Sequence, residues 1–321
     1  MAFSWIRQRI LLTGSHGFLG SNMFAILKDY IRGRSMECLI SRPSHAGYDL
    51  TKEADVDAVY QQCRPTVVIH MAGLVGGIGA NLARPADFFY DNLMMGTLLM
   101  QHALGYGVEK FIAIGAGCGY PEHAPIPTKE TDLWTGYPQA PSAPYSLAKK
   151  MMVVQAEALY RQHGFQSVVI MPGNLFGIHD YFNLERGHVI PCLVRKFVEA
   201  VKFGQSSVTV WGTGKATRDF IYASDVCEGL IRVSEAFDTP EVVNLSSGVE
   251  TSIAEVVELL IRITGYNGAV VFDATKPDGQ MRRCFDSSKA RSVGWEPKTG
   301  LADGLEATVR WFKDNYETAR K

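Results

Sequence analysis

Apolar residues along this chain gather in short unbroken runs separated by stretches of helical periodicity. Runs rich in Val, Ile and Leu fall at Arg9–Thr13, Glu37–Ser41, Thr66–His70, Phe111–Ile114, Val168–Met171 and Val242–Leu245. A strand without polar alternation has both faces covered, which is the condition of a parallel sheet. The intervals between most runs read as amphipathic helices, including segments at about 86–106 and 144–163. This alternation predicts an α/β protein: a doubly wound parallel sheet with right-handed crossovers and a ligand crevice beyond the carboxyl ends of its strands. After about Gly177 the rhythm weakens. We expect a sheet domain over residues 1–177 with a return segment near 220–245, and a smaller substrate-binding domain over 178–321.

The first run leads into "LLTGSHGFLGS", which sets Gly14, Gly17 and Gly20 three apart between a strand and a helix. Glycines at this junction let backbone approach a pyrophosphate and let helix pack on strand, while the helix amino end favours negative charge. An ordinary tight turn also uses glycine, but the strand-loop-helix setting favours a Rossmann-type dinucleotide site. The second run ends "CLISRPS", where an acidic residue would grip a ribose 2′-hydroxyl and where Arg42 stands instead. A guanidinium suits a 2′-phosphate, so NADP(H) is expected rather than NAD; the plainer alternative for Arg42 is a solvated surface charge.

"SAPYSLAKKMMVVQAEALYRQHG" opens with Ser-Ala-Pro, keeps helical spacing and stops at Gly164. Tyr145 and Lys149 lie four apart, hence on one helix face. An ammonium beside a phenol lowers the phenol pKa towards working pH, as proton exchange with a carbonyl oxygen requires. The fourth run closes in "IGAGCGYP", at the same sheet edge as the glycine loop, and Cys118 is the only polar side chain between Ile114 and Tyr120. Taken alone, Cys118 reads as a small core residue and His188 as a structural histidine.

On these motifs the chain resembles the extended short-chain dehydrogenase/reductase family. The matches are the T-G-x-x-G-x-x-G loop at Thr13–Gly20, Asp49-Leu50 after the second strand, "HMAG" at 70–73 and "DNLMMGT" at 91–97. Within the family it is similar to the branch that epimerises and reduces GDP-4-keto-6-deoxyhexoses, through "LVGGIGANLARPADFFYDN", "GNLFGIHDYF", "GHVIPCLVRKF", "VWGTGKATRDFIY" and "FDATKPDGQMRR". The resemblance implies an NADP(H)-dependent nucleotide-sugar 3,5-epimerase/4-reductase. In it Gly14, Gly17, Phe18, Leu19, Gly20, Arg42, Asp49, Leu50, Ala72 and Lys149 would hold the cofactor. Tyr145 and Lys149 would serve reduction, and Cys118 and His188 would act as base and acid in epimerisation. Asn174, Lys196, Trp211, Arg218 and Lys276 would lie around the GDP-sugar.

Two departures from the family pattern matter. The family reads G-S-S-C where this chain has Gly115-Ala116-Gly117-Cys118, so the serine matching Ala116 is missing. A family arginine near the substrate phosphates is Lys196 here, which keeps charge and loses the bidentate fork. They leave open an epimerase without the reduction step, or an enzyme of a different nucleotide-ketosugar. Trp211 reads equally as a ligand contact or a core aromatic, and Asp219 and Asp225 as structural or solvent-facing carboxylates.

Composition narrows the partners. With 32 Lys and Arg against 33 Asp and Glu and no basic stripe, neither nucleic acid nor an anionic membrane is expected, and any anionic ligand must be met by local cations. Six cysteines without a C-x-x-C pair argue against a metal site or a disulfide framework and fit a reducing, cytoplasmic setting. The stretch "MAFSWIRQRILLTG" is too short and too charged for a signal peptide, and no apolar run nears the roughly 20 residues that span a bilayer. The apolar content of the helices at about 86–106 and 144–163 permits a homodimer built on them.

Overall fold

The computed structural model describes residues 3–321. Parallel strands β1 (Arg9–Thr13), β2 (Leu39–Ser41), β3 (Val67–His70), β4 (Lys110–Ile114) and β5 (Ser167–Pro172) stand within two residues of the predicted runs. They are followed by β6 (Asn174–Phe176), β7 (Ser207–Trp211), β8 (Thr217–Tyr222), β9 (Glu241–Leu245), β10 (Glu250–Ser252) and β11 (Ala269–Asp273). The helices are α1 (Phe18–Gly33), α2 (Glu53–Cys63), α3 (Ile78–Ala83), α4 (Pro85–Gly105), α5 (Ala143–His163), α6 (Val189–Lys202), α7 (Ala223–Ala236), α8 (Ile253–Thr264), α9 (Ser288–Ser292) and α10 (Leu301–Asp314). Among the described residues no helix is long and apolar enough to cross a membrane.

The main sheet has the order β2-β1-β3-β4-β5-β9. Strand order reverses between β1 and β3, so a crevice opens above their carboxyl ends. Successive residues of a strand point to opposite faces. Leu12, Ile69, Ile112 and Ile170 meet Met23 of α1 and Leu230 of α7 on one face, and Leu11, Val68, Phe111 and Val169 meet Tyr60 of α2, Leu99 of α4 and Met152 of α5 on the other. Burial on both sides is why β3, β4 and β5 carry no polar alternation.

The return expected near 220–245 divides. α7 and β9 rejoin the main sheet, β9 pairing with β5, whereas β8 stays outside in a three-stranded sheet ordered β10-β8-β6. A third apolar core, including Phe176, Phe197, Val210, Phe220, Leu260 and Phe312, gathers β6, β7, β8, α6, α8 and α10. β11 and β7 form a two-stranded parallel ribbon.

Asp219 ties these parts together. Its fully buried carboxylate accepts the backbone N–H groups of Ser247 (2.8 Å), Gly248 (3.1 Å) and Phe285 (3.1 Å) and the Ser247 hydroxyl (2.6 Å). Asp225, also buried, accepts from the backbone of Lys298 (3.0 Å) and Thr299 (2.8 Å). Both carboxylates are structural and neither faces solvent. Asp219→Ala strands several buried donors, and we expect it to lower the unfolding free energy by roughly 3 kcal/mol. The check is a lower urea midpoint at unchanged slope.

Candidate active site

β1 ends at Thr13 and the chain turns through Gly14 at φ +66°. A Cβ on Gly14 would stand 2.5 Å from the Ala72 backbone nitrogen, and one on Gly20 would stand 2.2 Å from the Gly14 carbonyl oxygen. Bare backbone is therefore what lets this loop lie against the end of β3 and lets α1 start at once. Gly17 occupies the N-cap of α1, and no side chain caps the amides of the first turn, which runs through Phe18, Leu19 and Gly20. An uncapped helix amino end is a site for an anion.

Arg42 lies at the neighbouring strand end. It donates to the Ser15 carbonyl at 3.0 Å and stacks 3.7 Å over the Phe24 ring, and its Nε is buried without an acceptor. A cavity of about 450 Å³ bounded by Ser41, Arg42, Ser44 and Tyr48 opens beside it. A half-buried guanidinium with an unused donor beside the glycine loop fits the 2′-phosphate of NADP(H). Asp49 accepts from the hydroxyl (2.7 Å) and backbone N–H (3.1 Å) of Thr51, bonds that hold its carboxyl below the usual range, and Leu50 is buried beside it.

β4 delivers the reactive groups. After Ile114 comes buried Ala116, then a single 3-10 turn, Gly117–Gly119, that carries Cys118. A Cβ on Gly117 would meet the Pro172 carbonyl oxygen at 2.7 Å and the Phe285 ring at 2.8 Å, so position 117 has no room for a hydroxyl-bearing side chain. The methyl of Ala116 donates nothing, and both hydroxyls of the G-S-S-C pattern are thus absent from this wall.

α5 runs past that turn. Lys149 is buried, donates to the Ile114 carbonyl at 3.1 Å and lies against Gly73. Burial draws its ammonium down to about 8, and negative charge at Cys118 acts in the opposite sense. Tyr145, one helical turn earlier, packs edge-on against Phe88 of α4. Burial first, and negative charge at Cys118 second, push its phenol up. This reverses the direction expected from an ammonium beside a phenol. The ammonium donates to a backbone carbonyl while burial strips the phenol of water, so Tyr145 stays protonated, the form a proton donor needs.

Cys118, Tyr145 and Lys149 therefore share one charge neighbourhood. His188 lies outside it, at the N-cap of α6. The residue is exposed, and the protein packed about its ring pushes the imidazole below its usual pKa.

The expected substrate residues gather at the ends of β6, β7, β8 and β11. Trp211 is 55% exposed, which removes the core reading, and the ammoniums of Lys196 and Lys276 stand 5.8 Å and 5.6 Å from its ring centre. Lys196 also donates to the Thr209 carbonyl at 2.7 Å. Arg218 donates to the carbonyls of Thr217 (2.7 Å) and Asp278 (3.3 Å), and burial draws it down to about 10. Asn174 opens β6 in register with Phe220, two residues beyond Arg218. Sequence reasoning missed two residues of this wall, Asp278 and Arg283. Asp278 braces the loop between β7 and β8 by accepting from the backbone (2.7 Å) and hydroxyl (2.8 Å) of Thr213. Their signal lay in "KPDGQMRR", directly after Lys276.

A family model described as the NAD dependent epimerase/dehydratase family matches residues 10–246, from β1 to just past β9. The chain belongs to this family. This epimerase/dehydratase family member is 38% identical to GDP-L-fucose synthase 1 of Arabidopsis thaliana, over 96% of this chain and 94% of that protein. It is similar to a solved GDP-L-fucose synthetase from Naegleria fowleri bound to NADP, with a TM-score of 0.87 at 27% identity over 100% of this chain and 98% of that one. It is also similar to a GDP-6-OMe-4-keto-L-xylo-heptose reductase from C. jejuni, with a TM-score of 0.88 at 26% identity over 98% of this chain and 100% of that one. The likeness runs beyond the family model into the segment of Lys276, Asp278 and Arg283.

Proposed function

We propose that the protein is an NADP(H)-dependent 3,5-epimerase/4-reductase of a GDP-4-keto-6-deoxyhexose, in the manner of a GDP-L-fucose synthase. The observation that carries this reading is the convergence of Cys118, Tyr145 and Lys149 at the end of β4, beside the glycine loop. Near-full-length likeness to GDP-L-fucose synthase 1 of Arabidopsis thaliana supports the choice of substrate.

A ketone acidifies the hydrogens on the carbons either side of it. Cys118, as thiolate, takes one of them while His188, as imidazolium, returns a proton to the opposite face. When bound, NADPH supplies the hydride that reduces the ketone. Tyr145 donates its proton to the ketone oxygen as charge grows there, and the ammonium of Lys149 stabilises that charge. Lys196, Arg218 and Lys276 neutralise the diphosphate, with Trp211 as an apolar face for sugar or base and Asn174 alongside. The separate third core supports a division near residue 177 into a cofactor domain and a nucleotide-sugar domain. We place the protein in the cytosol as a homodimer through α4 and α5.

A second reading is favoured by Ala116: an epimerase whose reduction step has lapsed for want of a donor at that place. One experiment separates the two. The protein is incubated with GDP-4-keto-6-deoxy-D-mannose and NADPH in deuterated water. Deuterium entering the sugar with NADPH consumed supports the first reading, and deuterium entry without consumption supports the second. Neither signal would reject both.

The buried lysine sets a pH limit. Lys149 is charged below about 8 and neutral above it, because burial has lowered its value. NADPH oxidation at saturating ketosugar should therefore fall as pH rises through about 8, approaching tenfold per unit. Stability responds with the opposite sign. The unfolded chain holds this proton up to about 10.4, so between the two values rising pH relieves the cost of the buried ammonium.

A further inference from the structure

The wall opposite α5 holds a guanidinium that the mechanism above leaves idle. Arg283 belongs to the segment after β11, which is pinned to the rest of the protein by the pairing of Thr128 with Phe285 and by the Phe285 amide on Asp219. Its Nε and Nη2 both donate to Oε1 of Gln280, at 3.1 and 2.6 Å, and Gln280 is itself anchored on the Glu122 carbonyl at 3.0 Å. The guanidinium plane is thus fixed, and its remaining nitrogen, Nη1, donates to no protein acceptor among the described residues. No salt bridge to Arg283 is present among the described residues, and Arg218 beside it feels both this second guanidinium, which lowers its pKa, and the Asp278 carboxylate, which raises it. Two guanidiniums beside a single carboxylate leave a net positive charge that an anion would relieve. Arg283 shares a small cavity with Gly117 and Phe285, which sets it beside the turn that presents Cys118.

We propose that Arg283 is a positioning residue for proton abstraction, its fixed guanidinium standing beside the turn of Cys118 and stabilising the thiolate. Negative charge at Cys118 is the one influence that opposes the effect of burial on Arg283. Charge at that sulfur also acts on Tyr145 and Lys149 of α5. Tyr145 is a neutral phenol there, and Lys149 places one of its three donors on the Ile114 carbonyl. Lys150 lays its stem on Gly119 but turns its ammonium to the Leu133 carbonyl at 2.6 Å and the Trp134 ring. Arg283 adds to them a guanidinium whose Nη1 donates to no protein acceptor among the described residues. When it acts, the thiol releases its proton to solvent, and the thiolate later takes a proton from the sugar carbon.

The inference rests on the proposed reading for the use made of the thiolate, but its test needs no substrate, so the two can fail separately. Iodoacetamide alkylation of Cys118 is followed by peptide mass spectrometry against pH in the full chain, with partly exposed Cys63 as internal standard. At pH about 7, Arg283→Gln is expected to slow alkylation of Cys118 roughly tenfold, the size of one pKa unit. Arg283→Lys should restore most of the rate, and all forms should converge near pH 10, about where an ordinary thiol is ionised without help. Equal rates in wild type and Arg283→Gln at pH about 7, or a slowing of the same size at every pH, would overturn the proposal. If the Gln variant is insoluble, Arg283→Met takes its place in the same measurement.

Discussion

Cys118→Ala is expected to lower deuterium entry at the sugar carbons beside the ketone by about 10²–10⁴, the range that one positioned proton-transfer group contributes. The substitution is structurally mild. Cys118 lies in a one-turn element after β4, is half-buried, and its sulfur makes no hydrogen bond among the described residues, so removing it opens no core cavity and orphans no partner there. A loss of exchange is then a loss of chemistry and not of folding, which an unchanged thermal midpoint would verify. NADPH oxidation with a ketosugar that is already epimerised should survive, because the phenol and ammonium on α5 are untouched. Exchange at the wild-type rate would take Cys118 out of the mechanism and return it to the plain reading of a small buried residue.

Tyr145→Phe should do the reverse. Reduction is expected to fall by about 10²–10⁴ while deuterium entry continues. The phenylalanine ring keeps the edge-on contact with Phe88, so α4 and α5 hold their packing and only the hydroxyl is lost. In this chain the loss should be severe, because the hydroxyl that a serine at position 116 would contribute is missing and Tyr145 is left as the neutral donor at the ketone. Burial keeps the phenol protonated, so the pH limit of reduction belongs to Lys149 and should vanish in Lys149→Met along with most of the rate. Taken with Cys118→Ala, the two variants split the protein's activity into halves that a single-function enzyme would not show. Parallel loss of exchange and reduction in both variants would count against two separate groups of catalytic residues.

The sheet and the cofactor loop were legible because their causes are local. A strand covered on both faces must be apolar at consecutive positions, and a chain that turns at Gly14 with φ +66° beneath the Ala72 amide admits only glycine. The spacing of Tyr145 and Lys149 likewise follows from one helix alone. The return segment was only half legible, since strands β8 and β9 carry similar residues and what separates them is the sheet each one finds as a neighbour. Trp211 could not be assigned from its own residues either, because exposure depends on what covers it.

The amino-acid sequence alone determined the parallel sheet, the dinucleotide loop, the helix with its phenol and amine, and the thiol without a neighbouring serine. Tertiary structure alone decided that the Tyr145 phenol is pushed up, that Lys149 donates to a backbone carbonyl, that Asp219 bonds three amides from two distant segments, and that Arg283 borders the turn carrying Cys118. The division has a physical cause. Periodicity and backbone conformation are set by residues adjacent in the chain, whereas charge and desolvation act through space between groups such as Cys118 and Arg283 that folding alone brings together.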